Sequence, residues 1–355
     1  MKNRLLVSLA AAGLMTAAHA QSSVTLFGVT DIGVASLSTS GARRTLMQSD
    51  GNTSSRLGFR GQEDLGGGMY AAFWLEGSID IPDGAGGTTN AGNQGSSIGS
   101  NAFTFGRRST VSLGGRWGEL RLGRDYVPTF TNLTTAFTPF GTNGMGNTGT
   151  LFYPVAAGGT TPRTNVRASN SVGYHLPSNL GGFYGTVMVA SGNNPSTAGA
   201  KRDDGDYRGA RIGWRGAGLN IAAATGRTDY ASGDFTQSNI GVSYEVHTNI
   251  KLMYLWGRNK VGVTQTTAQL VGVAWDVGPG EFRAEYARLK AKGVANDATH
   301  TAIGYVYNLS KRTAIYTDYA IVDNKEAGTE FDVGIPVTAP GGSSRGFELG
   351  IRHSF

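Results

Sequence analysis

The side chains best suited to chemistry in this 355-residue chain are arginines. Arg56 and Arg60 share one face of the alternating run Arg56-Leu57-Gly58-Phe59-Arg60-Gly61-Gln62, with Leu57 and Phe59 on the other face. Arg108, Arg121, Arg124 and Arg167 sit in comparable runs. A guanidinium keeps its charge and offers five donors, so a set of them binds or steers anions. Nucleophilic and metal chemistry find little support. Of the five histidines, His19 lies in the opening apolar segment, His247 at a tight turn, and His353 on a face with Leu349 and Phe355. His175 and His300 read as ordinary strand residues. No Ser–His–acid set falls at a common height. There is no Cys and no zinc-ligand spacing. Gly66-Gly67-Gly68 is a turn rather than a phosphate cradle, because no helix follows it. The chain is not expected to be an enzyme, and no cofactor or metal is called for.

The elements that carry these arginines alternate with period two. Leu57 and Phe59 opposite Arg56 and Arg60 describe a strand with one apolar and one wet face. If the apolar face meets lipid, an arginine turned outward costs ~2–4 kcal/mol at mid-membrane. Arg56 and Arg60 must then point inward, and Arg108 with them if Val111 and Leu113 face out. Around Gly123 the pattern conflicts: Leu120 and Leu122 outward put Arg121 inside and Arg124 outside. A bulge near Gly123 would re-aim Arg124.

Composition narrows the fold class. There are 55 glycines and only 16% charged residues. The glycine share is about twice the usual ~7%, and glycine weakens helices. No long apolar run follows the first residues, so no membrane helix is available. Lys2 and Arg4, an apolar stretch from Leu5 to Met15, and Ala18-His19-Ala20 have the layout of an export leader cleaved before Gln21. The expected division is a leader over 1–20 and one all-β domain over 21–355. Losing Lys2 and Arg4 takes the net charge from +6 to +4, too dilute for a nucleic-acid surface.

Hairpins recur along the chain, with tight connections at 63–68, 114–118, 215–218, 247–249, 278–280 and 308–312. Eight long polar segments, 38–53, 80–101, 126–165, 191–206, 228–235, 259–265, 290–298 and 322–344, alternate with them. Eight long loops and seven short turns require sixteen antiparallel strands. Long loops at one end and short turns at the other is the layout of a transmembrane barrel, with the long loops extracellular. About sixteen strands enclose an aqueous channel. The last segment alternates Phe347, Leu349, Ile351, His353 and Phe355 against Gly346, Glu348, Gly350, Arg352 and Ser354, and pairing it with 24–37 closes the sheet. Trp214, Tyr244, Trp275, Tyr286, Tyr305 and Tyr316 read as interfacial girdles.

With these residues in place the chain resembles a general porin of Gram-negative outer membranes, of the sixteen-stranded proteobacterial type. The resemblance rests on Ser23-Val24-Thr25-Leu26-Phe27-Gly28, on the run from Ser55 to Gly68, on Leu122-Gly123-Arg124-Asp125-Tyr126, on Arg167-Ala168-Ser169-Asn170-Ser171-Val172, on Leu309-Ser310-Lys311-Arg312-Thr313, and on Gly350-Ile351-Arg352-His353-Ser354-Phe355. It implies a homotrimer in contact with outer-membrane lipid and lipopolysaccharide, passive diffusion of small hydrophilic solutes, and Phe355 read as an assembly signal by the barrel-assembly machinery. It also implies that the third long loop, 126–165, folds into the pore, with Pro139, Phe140 and Gly141 at its tip. Arg56, Arg124 and Arg167 match the family's constriction arginines.

One departure bears on selectivity. Cation-preferring relatives carry acidic residues on the third loop, whereas no charged residue of either sign lies between Asp125 and Arg163 here. A basic constriction at Arg56, Arg60, Arg108, Arg124 and Arg167 facing a neutral loop predicts preference for anionic over cationic solutes, with neutral ones passing. A substrate-specific channel for phosphate or organic acids would use the same wall as a binding track. A barrel enzyme would need a Ser and a His whose loss abolishes turnover, and an adhesin would conduct no ions.

Overall fold

The computed structural model describes residues 23–87, 89–90, 92–94, 102–154, 162–293 and 295–355. The expected leader, 1–20, lies outside these residues. Seventeen strand segments form one antiparallel sheet that closes on itself. β1 (Ser23–Thr39) pairs with both β2 (Arg43–Ser49) and β3 (Arg56–Gly66), which lie end to end along it. The seventeen segments therefore make sixteen staves. The rest follow in order: β4 (Met69–Ser78), β5 (Arg108–Gly115), β6 (Gly118–Tyr126), β7 (Arg167–His175), β8 (Phe183–Ala190), β9 (Tyr207–Gly216), β10 (Leu219–Thr228), β11 (Phe235–His247), β12 (Ile250–Val261), β13 (Thr264–Val277), β14 (Gly280–Lys292), β15 (Ala298–Asn308), β16 (Thr313–Asn324) and β17 (Ser343–Ser354). β17 returns to β1 with Val29 opposite Ser354 and Thr39 opposite Ser344, which joins the two ends of the sheet. Phe355 adds a reciprocal backbone pair with Gly28 at 3.1 Å. Among the described residues the only α-helical turn is α1 (Gly149–Phe152).

The two faces follow the alternation. Phe347, Leu349 and Ile351 of β17 are outward and 48%, 56% and 45% exposed, while Glu348 between them is buried. Val34, Val111, Val189, Ile212, Val271 and Ile303 extend this apolar band around the outside. Water would not tolerate so continuous an apolar surface, and hydrocarbon would. Trp117, Tyr244, Trp275 and Tyr307 sit outward near the short-turn end, as interfacial aromatics do. Tyr316 does not join them: it is inward, buried, and donates to Asp31 at 2.6 Å.

Three connections differ from the expected loops. Segment 38–53 is mostly strand: β1 reverses within 40–42, and β2 continues until an inward excursion at 50–55. Leu46 and Gln48 alternate with Thr45 and Met47, too short a signal against the polar Ser and Thr around them. Segment 259–265 contracts to a two-residue hairpin at Gly262 and Val263, made possible by Gly262 at φ 56°. The remaining short turn, beside the six located from sequence, spans 176–182, where Pro177 and two left-handed glycines, Gly181 and Gly182, reverse the chain.

The third loop crosses the inside of the barrel, as the resemblance implied. Phe137, Phe140, Leu151 and Phe152 are buried against the inner wall. Their path is a lane of inward glycines. A methyl group at Gly257 on β12 would come within 2.9 Å of the Phe152 ring, and one at Gly272 on β13 within 2.5 Å of Pro139. Gly241, Gly304 and Gly346 lie under Phe137, Phe140 and Met145 in the same way. Part of the high glycine content thus serves close packing of loop on wall rather than turns.

Candidate pore site

Two arginines converge on one phenol, and a third shares a carboxylate with one of them. β3 presents Arg56 inward, the residue before β5 is Arg107, and β7 presents Arg167. Arg107 donates to the Tyr126 hydroxyl at 2.9 Å and Arg167 at 3.0 Å. The Arg167 guanidinium also lies 4.5 Å from the centre of the Tyr126 ring, an attractive cation–π placement. Arg56 and Arg107 share Glu76 Oε1 at 3.3 and 2.5 Å. These groups, with Thr131, Thr134, Thr142 and Tyr153 of the loop, border an open space of about 480 Å³. The loop side carries no charged residue between Asp125 and Arg163 and is neutral. Three cations against the carboxylates of Glu76 and the nearby Asp50 leave one positive charge in excess beside this space.

Four further inward carboxylates are buried away from this opening. Glu348 is fully buried and accepts the Met145 N–H at 2.9 Å and Gln48 Nε2 at 2.7 Å. Asp31 accepts the backbone N–H groups of Gly51, Asn52 and Thr53 and the Tyr316 hydroxyl. His300 donates through Nε2 to the Met145 carbonyl at 3.1 Å, and its Nδ1 lies 3.7 Å from Glu285. Asp318 is equally buried. Glu348 thus fastens the loop and Asp31 the 50–55 excursion, while Glu119 and Asp125 pair with Arg121 and Glu281 with Arg283.

The sequence-derived set is only partly brought together. Arg56 and Arg167 border the same open space as Tyr126. Arg60 and Arg108 stand apart from them on the two sides of Trp74, at 5.2 and 4.7 Å from its ring centre, and border a separate space of about 390 Å³ with Tyr70 and Gln62. Arg124 does not line either space. The bulge at Gly123, φ 127°, shifts the register there. It turns Arg124 to donate to the Gly106 carbonyl, Asn90 Oδ1 and Ser169 Oγ. There it secures the second long loop. Arg121 faces inward, paired with Glu119 and Asp125 at 3.0 and 2.7 Å. Pro139 and Phe140 lie against the far wall, whereas Gly141, whose N–H donates to Thr138 Oγ1 at 3.1 Å, borders the same open space as Arg56 and Arg167. Sequence reasoning missed Arg107. It precedes the first residue of β5, so alternation assigns it no face, and only its adjacency to Arg108 hinted at a role.

A closed barrel, apolar outside and charged within, crossed by an inward loop, defines a membrane channel. The chain belongs to the Gram-negative porin family, whose model matches residues 6–327. It is a multi-pass β-barrel of the outer membrane. It is 36% identical to outer membrane porin protein 32 of Delftia acidovorans over 99% of both chains. It is 30% identical to an outer membrane porin protein of Bordetella pertussis, over 69% of this chain and 59% of that one. A solved structure, the anion-selective porin from Comamonas acidovorans, superposes with a TM-score of 0.79 at 34% identity, covering 94% of this chain and 100% of that one. Salmonella typhi OmpF, at 15% identity and a TM-score of 0.63, shares the fold.

Proposed function

We propose that this porin is a general diffusion channel that prefers anions, with Arg56, Arg107 and Arg167 as the selecting cations. The observation that carries the reading is the separation of charge. The arginines border the open space, while Asp31, Glu285, Asp318 and Glu348 are buried behind loop and backbone. The Debye length is about 8 Å at physiological salt, so an opening of that order is not fully screened, and low-dielectric walls focus its field. The 34% identical structure is that of an anion-selective porin, which agrees. The test is the reversal potential of reconstituted protein across a KCl gradient; a cation-selective sign overturns the reading.

A second reading, a channel with a saturable site for organic anions, is favoured by the stack of Arg60, Trp74 and Arg108. The Trp74 ring lies near both guanidiniums, and among the described residues Arg60 has no carboxylate partner while Arg108 pairs with Asp125 at 3.7 Å. Saturable block of conductance by one organic acid, absent with chloride, would separate it from simple diffusion.

Three further proposals complete the picture. Residues 1–20 act as a cleaved leader. The outward phenylalanines Phe59, Phe103 and Phe105, in edge contact at 6.4 and 5.5 Å, form part of the face for self-association into a homotrimer. Phe355, whose ring covers Gly28, is the residue read during assembly.

A further inference from the structure

The open space beside Arg56 has a second inward border besides the third loop. Between β2 and β3 the chain leaves the wall over 50–55, and Asn52, Thr53 and Ser54 face the same opening as Arg56, Arg107 and Arg167. The stretch Asp50-Gly51-Asn52-Thr53-Ser54-Ser55 has no apolar side chain to pack, so hydrogen bonds must hold it. One wall residue supplies most of them. Asp31 of β1 is fully buried and does not border the opening. Its carboxylate accepts the consecutive backbone N–H groups of Gly51, Asn52 and Thr53 at 3.2, 3.0 and 2.7 Å. Successive N–H groups that converge in this way form a concave anion site, and here the anion is a side chain of the protein itself. The Asp31 backbone clasps the two ends. Its carbonyl accepts Asp50 N–H at 3.3 Å, and its N–H donates to Ser55 Oγ at 3.0 Å. Asp50 opens the excursion in the left-handed conformation, at φ 71°. Gly51 packs on Tyr316, where a methyl group would come within 2.5 Å of the ring.

The groups of the excursion that Asp31 does not hold grip the constriction. The Ser54 carbonyl accepts Arg56 Nε at 2.8 Å. Ser54 Oγ donates to Asn143 Oδ1 of the third loop at 2.7 Å, and the Asp50 carbonyl accepts Gly144 N–H at 3.0 Å. Asn52 Oδ1 accepts Arg283 Nη1 of β14 at 2.9 Å. Arg107 and Arg167 are oriented by the Tyr126 hydroxyl. Arg56 is oriented instead by the Ser54 carbonyl on one side and Glu76 on the other.

We infer that residues 50–55 are a second constriction segment, and that Asp31 is the positioning residue that aims Arg56 into the opening through it. Asp31 touches neither the opening nor Arg56; it fixes the backbone whose Ser54 carbonyl holds the guanidinium. Loosening the excursion frees Arg56 Nε, and the guanidinium then falls back on Glu76, which cancels its charge. The sign of the effect is diagnostic. As a bare charge Asp31 opposes anions, so its removal would strengthen anion preference or leave it unchanged. As a positioning residue its removal weakens that preference. The inference rests on the reading of Arg56 as a selecting cation.

The test is a double-mutant cycle on the reconstituted full-length protein, with Asp31→Asn, Arg56→Gln and the pair, read as the reversal potential across a KCl gradient. Gly51→Ala pushes the excursion off Tyr316 without changing any charge. It runs through the same cycle and carries the test if Asp31→Asn does not refold. Each of Asp31→Asn and Gly51→Ala should move the reversal potential toward zero by roughly half of the Arg56→Gln shift, since the Ser54 anchor is lost and Glu76 remains. Neither should add to the shift of Arg56→Gln. A lowered unfolding midpoint with the wild-type reversal potential would make the role of Asp31 structural only and overturn the inference. A more anion-selective Asp31→Asn channel overturns it too, as does a full additional shift on top of Arg56→Gln; both outcomes leave the selecting role of Arg56 standing. An Arg56→Gln channel with the wild-type potential overturns that role, and the inference with it.

Discussion

Glu348 Oε1 accepts the backbone N–H of Met145 at 2.9 Å, joining the final strand to the inward loop across 203 residues of sequence. The carboxylate is fully buried and its other oxygen is held by Gln48. A loop of neutral residues is thus fastened by a charge in the wall behind it. Glu348→Ala removes both bonds and leaves Met145 N–H unsatisfied. The expected cost is about 2–4 kcal/mol, seen as a lower unfolding midpoint, together with noisier open-channel current as the loop detaches. A variant with quiet current and unchanged midpoint would show that the glycine lane alone holds the loop.

That lane is tested at Gly272, where Pro139 packs with no room for a side chain. Gly272→Leu forces the loop tip off the wall and toward the opposite arginines. Overpacking of this kind costs about 1–3 kcal/mol. Single-channel conductance should fall, because the displaced loop narrows the opening. A conductance equal to wild type would place the loop tip elsewhere.

Charge removal at the site should act on selectivity more than on conductance. Replacing Arg56, Arg107 and Arg167 by Gln leaves Glu76 as the nearest charge, so the reversal potential in a KCl gradient should move toward zero or change sign. Arg124→Gln should leave selectivity near wild type, since its guanidinium is committed to Gly106, Asn90 and Ser169. If Arg124→Gln shifts selectivity as far as the triple variant, the assignment of the selecting cations is wrong.

Salt supplies an independent check. The Debye length falls from about 10 Å at 0.1 M to about 3 Å at 1 M. Anion preference set by a surface field should weaken strongly over that range in the wild type. A preference unchanged at 1 M would point to tight ion binding at the Arg60–Trp74–Arg108 stack instead.

Tyr126→Phe isolates the organising role of the phenol. It keeps the ring under Arg167 but deletes the acceptor for Arg107 and Arg167. Each lost hydrogen bond to a charged donor is worth about 1.5–3 kcal/mol. Spread of the guanidiniums should broaden the conductance histogram while the sign of selectivity is kept.

The sequence by itself determined the barrel, the inward placement of Arg56, Arg60, Arg108 and Arg121, and the neutral third loop. All of these follow from a local rule: a strand with lipid on one side must alternate, and an arginine must take the wet side. It could not decide which arginines meet. Arg56, Arg107 and Arg167 come from three separate places along the chain, and their gathering around one open space depends on the sheet register. Around Gly123 alternation and resemblance disagreed over Arg124; the bulge that the sequence suggested is present, but only the fold shows the guanidinium committed to Gly106, Asn90 and Ser169 rather than to the constriction. The burial of Asp31, Glu285, Asp318 and Glu348 was equally invisible, because a carboxylate on the inner face reads the same from sequence whether it meets water or the backbone of a loop folded over it. Only the path of that loop through the barrel decided which charges remain in the opening.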